Sequence, residues 1–175
     1  PRNPDVLYAV TWQRHRTVAA YVGGGPNSGI HRSTDGGETW TELTNGLPSA
    51  NPNGNLGKIG LAISPQQPDV LYAAIELDQR EGGVWRSADR GASWTKMSDR
   101  IAGGTGPHYY QEIYTSPHAF DRIYLMDVQA RVSHDGGATW ENIDASSKHV
   151  DNHALAFRDN DPDYMLWGTD GGLYE

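Results

Sequence analysis

The sequence predicts an all-β chain, a segment of a β-propeller whose blades each hold four antiparallel strands. Three observations predict it. One phrase, Ser-x-Asp-x-Gly-x-(Thr/Ser)-Trp, occurs at Ser33–Trp40, Ser87–Trp94 and Ser133–Trp140. A second phrase, Pro4-Asp5-Val6-Leu7-Tyr8-Ala9, returns almost unchanged from Pro68 to Ala73, and more loosely at Phe120–Leu125 and Pro162–Trp167. The interval is about 50 residues, the spacing of a repeat architecture. Finally, no stretch has the apolar periodicity of an amphipathic helix, while short β-branched and aromatic runs recur between turn residues. A β-sandwich also has many short strands, but gives no reason for one phrase to return at the same place in every unit.

Each unit reads as four strands, A to D. Strand A is Ile59–Ser64, Gln111–Ser116 and His153–Phe157. Strand B is the Asp-Val-Leu-Tyr type of phrase, in which a turn with Pro or Asp feeds a β-branched and aromatic run. Strand C is Gly29–Arg32, Gly83–Arg86, Ala130–Val132 and Gly172–Tyr174. The Ser-x-Asp phrase joins C to D, and D begins at Trp40, Trp94 and Trp140. Within the phrase, Asp35, Asp89 and Asp135 are expected to accept hydrogen bonds from backbone N–H groups of their own turns. Ser33, Ser87 and Ser133 bond across the turn. Gly37, Gly91 and Gly137 permit positive φ. Each tryptophan is expected to bury its ring.

Aligned this way, the chain begins in the turn before a strand B and ends in a strand C. The expected division is 1–48 (strands B, C and D), 57–100 and 108–145 (full blades) and 149–175 (A, B and part of C). A propeller closes with about four to eight blades. The expectation is a piece of a larger propeller, completed by the remaining blades of its parent or by self-association through unpaired edges.

Composition narrows the function. The chain has 37% hydrophobic and 21% charged residues, as an ordinary globular chain does. A net charge of −8 argues against nucleic acid or an anionic membrane as the main partner. No apolar run approaches a membrane span. Cysteine is absent, so there is no thiolate nucleophile and no cysteine metal site. No motif asks for a cofactor.

The Ser-x-Asp phrase matches the Asp box, or bacterial neuraminidase repeat. With Gly57–Pro65, Gly82–Ser87, Tyr109–Tyr114 and Asn152–Leu155 leading to Gly168–Gly172, the whole chain resembles the sortilin-like propeller family and its bacterial glycosyl hydrolase-like relatives. The resemblance implies an exported protein, extracellular or periplasmic, and a structural role for the boxes. Sortilin-like members bind peptides and proteins; Asp-box relatives include sialidases and endoglucanases. The first expectation is therefore a binding and scaffold module for a peptide, protein or glycan. The alternative is part of a carbohydrate-active hydrolase. The Arg-Ile-Pro stretch usual in sialidases is absent. Glu76, Asp78, Glu112, Asp127 and Asp151 are the carboxylates from which a glycosidase pair would have to come.

The expected ligand rim lies where the starts of strands A meet the B-to-C connections. It comprises Lys58, His108, Tyr109, Tyr110, His149, Asp151 and His153, with His15 and Arg80 from the long connections 11–28 and 77–82. Aromatic faces suit apolar or sugar rings, and imidazoles and a carboxylate suit hydrogen bonding. His149, Asp151 and His153 alternate, so on an extended strand they would share one side as a candidate metal set. The preferred reading is a polar, metal-free strand start facing a wet channel.

Overall fold

A computed structural model describes residues 3–48, 56–77, 81–102, 110–143 and 146–175. The strands form four successive antiparallel sheets, and the architecture is that of a propeller segment. The first sheet has the order β1 (Leu7–Thr11), β4 (Gly29–Ser33), β5 (Thr41–Leu43). The second runs β6 (Ile59–Ile63), β7 (Leu71–Glu76), β8 (Gly82–Ser87), β9 (Thr95–Ser98). The third runs β10 (Ile113–Thr115), β11 (Ile123–Leu125), β12 (Arg131–Ser133), β13 (Glu141–Asn142). The fourth runs β14 (Asn152–Arg158), β15 (Asp161–Thr169), β16 (Gly172–Tyr174). A small hairpin, β2 (His15–Arg16) with β3 (Tyr21–Val22), rises from the first sheet.

Strand alternation explains how the sheets stack. In β7, Leu71, Ala73 and Ile75 pack toward the first sheet with Ile30, Leu43, Trp85 and Trp94. Tyr72 and Ala74 point the other way, joining Val84, Ile113, Ile123 and Leu125 against the third sheet. β7 is therefore buried along its whole length. A strand covered on both faces reads as a continuous apolar run. β11 repeats this, with Tyr124 turned to Leu155 and Trp167 of the fourth sheet.

The two repeated phrases hold each other. In the first turn, the Ser33 hydroxyl donates to Asp35 Oδ1 at 2.7 Å and accepts the Gly37 N–H at 2.8 Å. Asp35 also accepts the Thr39 N–H at 2.9 Å and the Thr39 hydroxyl at 2.5 Å. The turns at Asp89 and Asp135 repeat these bonds, with Ser93 and Thr139 as donors. Such donors favour the charged carboxylate, and they hold Asp35 and Asp135 down at about 2. The residue after each aspartate then donates its N–H to the carbonyl of Asp5, Asp69 or Asp121, at 2.9 Å in all three sheets. The Pro-Asp phrase is thus the seat of the Ser-x-Asp turn.

The second and third turns also reach the preceding sheet. The Trp94 N–H donates to Asn45 O at 3.0 Å, and Asn45 Nδ2 returns a bond to Ala92 O at 3.0 Å. Ser98 Oγ donates to Gly137 O at 2.6 Å and accepts from Trp140 Nε1 at 3.1 Å. Trp94 is 5% exposed and Trp140 is partly buried. Trp40 departs from the expectation of a buried ring: it is 44% exposed. The ring is buried only when a neighbouring sheet supplies a last strand beside it, and Trp40 meets none among the described residues. The connection 11–28 also differs from a plain loop. Thr17 Oγ1 accepts the N–H groups of Ala19 and Ala20, closing the tip of the β2–β3 hairpin.

Sheets two and three approach closely where Gly60 of β6 faces Gln111. A Cβ on residue 60 would stand 1.7 Å from Gln111 O. Gly60→Ala should therefore destabilise the protein by about 1–3 kcal/mol, the usual cost of overpacking. Urea unfolding reads this as a lower midpoint at unchanged slope; an unshifted midpoint would show that this approach is not structural.

Candidate functional site

Register decides which side chains meet. Ile59 pairs with Ile75, Ile113 with Leu125, and Asn152 with Thr169. The starts of β6, β10 and β14 therefore lie beside the ends of β7, β11 and β15, at the end of the sheets opposite the Ser-x-Asp turns. Two polar groups form there.

The first joins sheets two and three. Lys58 Nζ donates to Glu112 Oε1 at 2.5 Å. Glu76, the last residue of β7, is 3% exposed. Its Oε2 and Glu112 Oε2 are buried and find no hydrogen-bond partner among the described residues. Burial penalises the charged form. It pushes the Glu76 carboxyl up to about 7, against the opposing pull of a Lys58 backbone bond and the Lys58 charge. Burial likewise raises Tyr21, which lies within electrostatic reach of Glu76.

The second joins sheets three and four. Tyr110, 5% exposed, donates its hydroxyl to Asp151 Oδ1 at 2.7 Å. Its ring stacks on His153, with centroids 5.3 Å apart and planes 15° from parallel. His153 Nε2 in turn lies 2.9 Å from Asp170 Oδ1 in the β15–β16 turn. Burial, the bond to Asp151 and the surrounding carboxylate charges push the Tyr110 hydroxyl up. Beneath it, Asn152 Nδ2 donates to the carbonyls of Asp127 and Val128 at 3.0 Å each. Lys148 Nζ donates to Asn152 Oδ1 and sits 5.1 Å over the Trp167 ring. The outcome is a partly exposed imidazole, backed by the buried Tyr110 ring and flanked by two carboxylates.

The structure thus gathers Tyr110, Asp151 and His153, and places Lys58 in the neighbouring group. His149 stands beside them, half exposed, its Nδ1 4.0 Å from Asp151 Oδ2. His15 lies on the exposed hairpin strand β2. His108, Tyr109, Arg80 and Asp78 lie outside the described residues. Asp127 is satisfied locally, by Arg131 Nη1 at 2.7 Å and the Val128 N–H at 2.7 Å.

One expectation needs correction. His149, Asp151 and His153 do not share one side of an extended strand. β14 starts only at Asn152, and Asp151 takes φ +62, which breaks the alternation. His149 is held instead near Val150 O, at 2.7 Å. Among the described residues, no three His, Asp or Glu side chains are grouped to hold a metal ion. Asp170 was not among the expected site residues. No local sequence signal marked it: the β14–β15 register brings the β15–β16 turn beside the start of β14.

The model of the family described as sortilin, neurotensin receptor 3 (Sortilin-Vps10) matches residues 82–172. The chain belongs to the Sortilin-Vps10 family. That match contains Tyr110, Asp151, His153 and Asp170. Among relatives, the chain is 30% identical to xyloglucanase Xgh74A of Acetivibrio thermocellus, over 86% of this chain and 20% of the relative. It is 37% identical to a xyloglucanase of a Paenibacillus species, over 85% of this chain and 16% of the relative. It therefore spans about a fifth of the length of the curated relatives it matches. In structure it resembles the GH74 enzyme of Niastella koreensis, with TM-score 0.62, 19% identity, and coverage of 98% of this chain and 25% of the other. The GH74 xyloglucanase of Xanthomonas campestris gives TM-score 0.57 at 21% identity, covering 96% and 26%. At these identities the likeness is one of propeller fold. No helix among the described residues is long and apolar enough to cross a membrane.

The raised Glu76 carboxyl has a testable sign. Between its ordinary value of 4.5 and about 7, the folded protein holds a proton that the unfolded chain has lost. The stability linked to Glu76 is complete below 4.5 and is lost as pH rises through 7. Glu76→Gln should thus raise stability by about 1–3 kcal/mol at pH 8 and change little at pH 4. Thermal melts at both pH values check this; an equal shift at both would mean that Glu76 does not titrate in that window.

Proposed function

We propose that this chain forms part of the propeller of a glycoside hydrolase-like protein, and that the Tyr110–Asp151–His153–Asp170 end faces its glycan. The observation that carries this is the relationship to xyloglucanases at 30 and 37% identity across most of the chain. The chemistry agrees with it. The His153 imidazole, partly exposed and backed by the buried Tyr110 ring, offers a flat face for a sugar ring, and Asp151 and Asp170 offer acceptors for hydroxyl groups. Hydrolysis of a glycosidic bond needs two carboxyls flanking it, and at this end we take Asp151 and Asp170 as the pair to test. We read the Ser-x-Asp turns as Asp boxes, structural elements at the other end of each sheet, and the four sheets as successive blades. The resemblance to exported propeller proteins leads us to place the protein as exported.

A second reading follows from the family match. A sortilin-like propeller would use the same surface to capture a peptide or protein, without turnover. Reducing-sugar release from xyloglucan by the full-length protein separates the two. The glycan reading expects turnover that falls by about 10²–10⁴-fold in Asp170→Asn or Asp151→Asn, the range for loss of an acid or base group. Xyloglucan bound without turnover would make the propeller a glycan-binding module. A protein that neither binds nor cleaves xyloglucan overturns the proposal.

A further inference from the structure

At the Ser-x-Asp end, the first two seams between sheets are built from matching parts but closed differently. Between sheets two and three, Arg86 Nε donates to Asp121 Oδ1 at 3.1 Å, and the Tyr72 hydroxyl donates to the same oxygen. The Arg86 guanidinium also lies 5.7 Å over the Phe120 ring. These groups fill the seam. Between sheets one and two, Tyr8, Arg32 and Asp69 occupy the matching positions, but Pro68 stands in place of Phe120. Asp69 is held by Arg90 Nε at 2.6 Å. Tyr8 and Arg32 turn instead to the Arg90 carbonyl, at 3.0 and 3.1 Å. A cavity of about 370 Å³ remains, walled by Tyr8, Ile63, Gln67, Pro68, Asp69 and Arg90. That is the size of a small-ligand pocket.

Arg90 is also the exception among the three turns. Its φ is +63, where the other two turns carry Gly36 at +73 and Gly136 at +71. A side chain in that region is strained, and such strain persists where the residue has a use. Arg90 bonds Asp69 through Nε, and its two Nη groups make no hydrogen bond among the described residues.

We propose that this cavity is a second glycan site, binding a short stretch of neutral oligosaccharide at the end opposite the Tyr110 surface. The proposal rests on the glycan reading above. Arg90 is already paired with Asp69, which weakens its pull on a free anion. The Arg90 guanidinium offers a planar donor edge at the cavity wall, which two neighbouring hydroxyl groups of a sugar can accept from. Gln67 adds an amide, and Tyr8, Ile63 and Pro68 provide an apolar wall for the C–H face of the ring. A polymer held at two places on one protein dissociates more slowly than from either alone.

The test uses the full-length protein with a xyloglucan heptasaccharide, read by amide hydrogen exchange in 64–70 and 88–93 and, separately, in 148–154. The wild type should gain protection in both regions. Arg90→Gly restores the residue of the other two turns, and Pro68→Phe supplies the ring that closes the neighbouring seam, so both suit the fold. Each should weaken binding at 64–70 at least about tenfold, the loss expected for a charge-assisted bond or its space, while 148–154 responds as before. Protection at 148–154 alone, or protection at 64–70 that both variants keep, overturns the cavity site and leaves the glycan reading standing. Protection at 64–70 alone, without turnover, supports the cavity and removes the reading at the Tyr110 end. Protection at neither overturns both. Inorganic phosphate protecting 64–70 where the saccharide does not would make it an anion site and overturn the proposal.

Discussion

The structure depends on a tryptophan at the mouth of a closed turn, set against the last strand of the sheet before it. The turn is rigid because one carboxylate takes up two hydroxyls and a backbone N–H within seven residues. It is fixed to its own sheet because the next N–H reaches the Pro-Asp carbonyl. Trp94 can therefore act as a wedge: its backbone bonds Asn45 and its ring joins Leu43 and Ile30 in one apolar cluster. Sheets that share no hydrogen-bonded strands are held at a set spacing by this contact. At the next seam Trp140 and Gly137 make the corresponding contact with Ser98, and the approach of Gly60 to Gln111 lies along that seam.

That geometry separates the ends of the sheets by task. At the Ser-x-Asp end, most polar atoms are consumed by the turns, and the first seam is the exception. At the other end, strands begin and finish beside one another, so side chains from different sheets converge without being needed for closure. Lys58 meets Glu112, and Tyr110 meets Asp151 and His153. A buried carboxyl with an unpaired oxygen, such as Glu76, persists there because its proton offsets the lost solvation.

Much of this was legible in the sequence. The phrases at Asp35, Asp89 and Asp135 placed the turns, and β-branched runs such as Val70–Tyr72 placed the strands, because local hydrogen bonding and strand alternation are written in neighbouring residues. What escaped depended on distant partners. Trp40 carries the same phrase as Trp94, yet its exposure is decided by what packs on it from another sheet. The β2–β3 hairpin has only two-residue strands and no alternating pattern to betray it. Asp151 could not be known to adopt positive φ, so the metal-like spacing of His149, Asp151 and His153 was misleading. The Asp170–His153 contact follows from the register of β14 on β15, which the local sequence does not state.

The central claim is that Trp94 couples neighbouring sheets through its packing on Leu43. A double-mutant cycle measures that coupling directly, by urea unfolding of Trp94→Ala, Leu43→Ala and the pair. The account predicts a coupling of about 0.5–3 kcal/mol, the range for residues in contact. Losses that simply add would mean that the two side chains stabilise their own sheets separately, and would contradict the account.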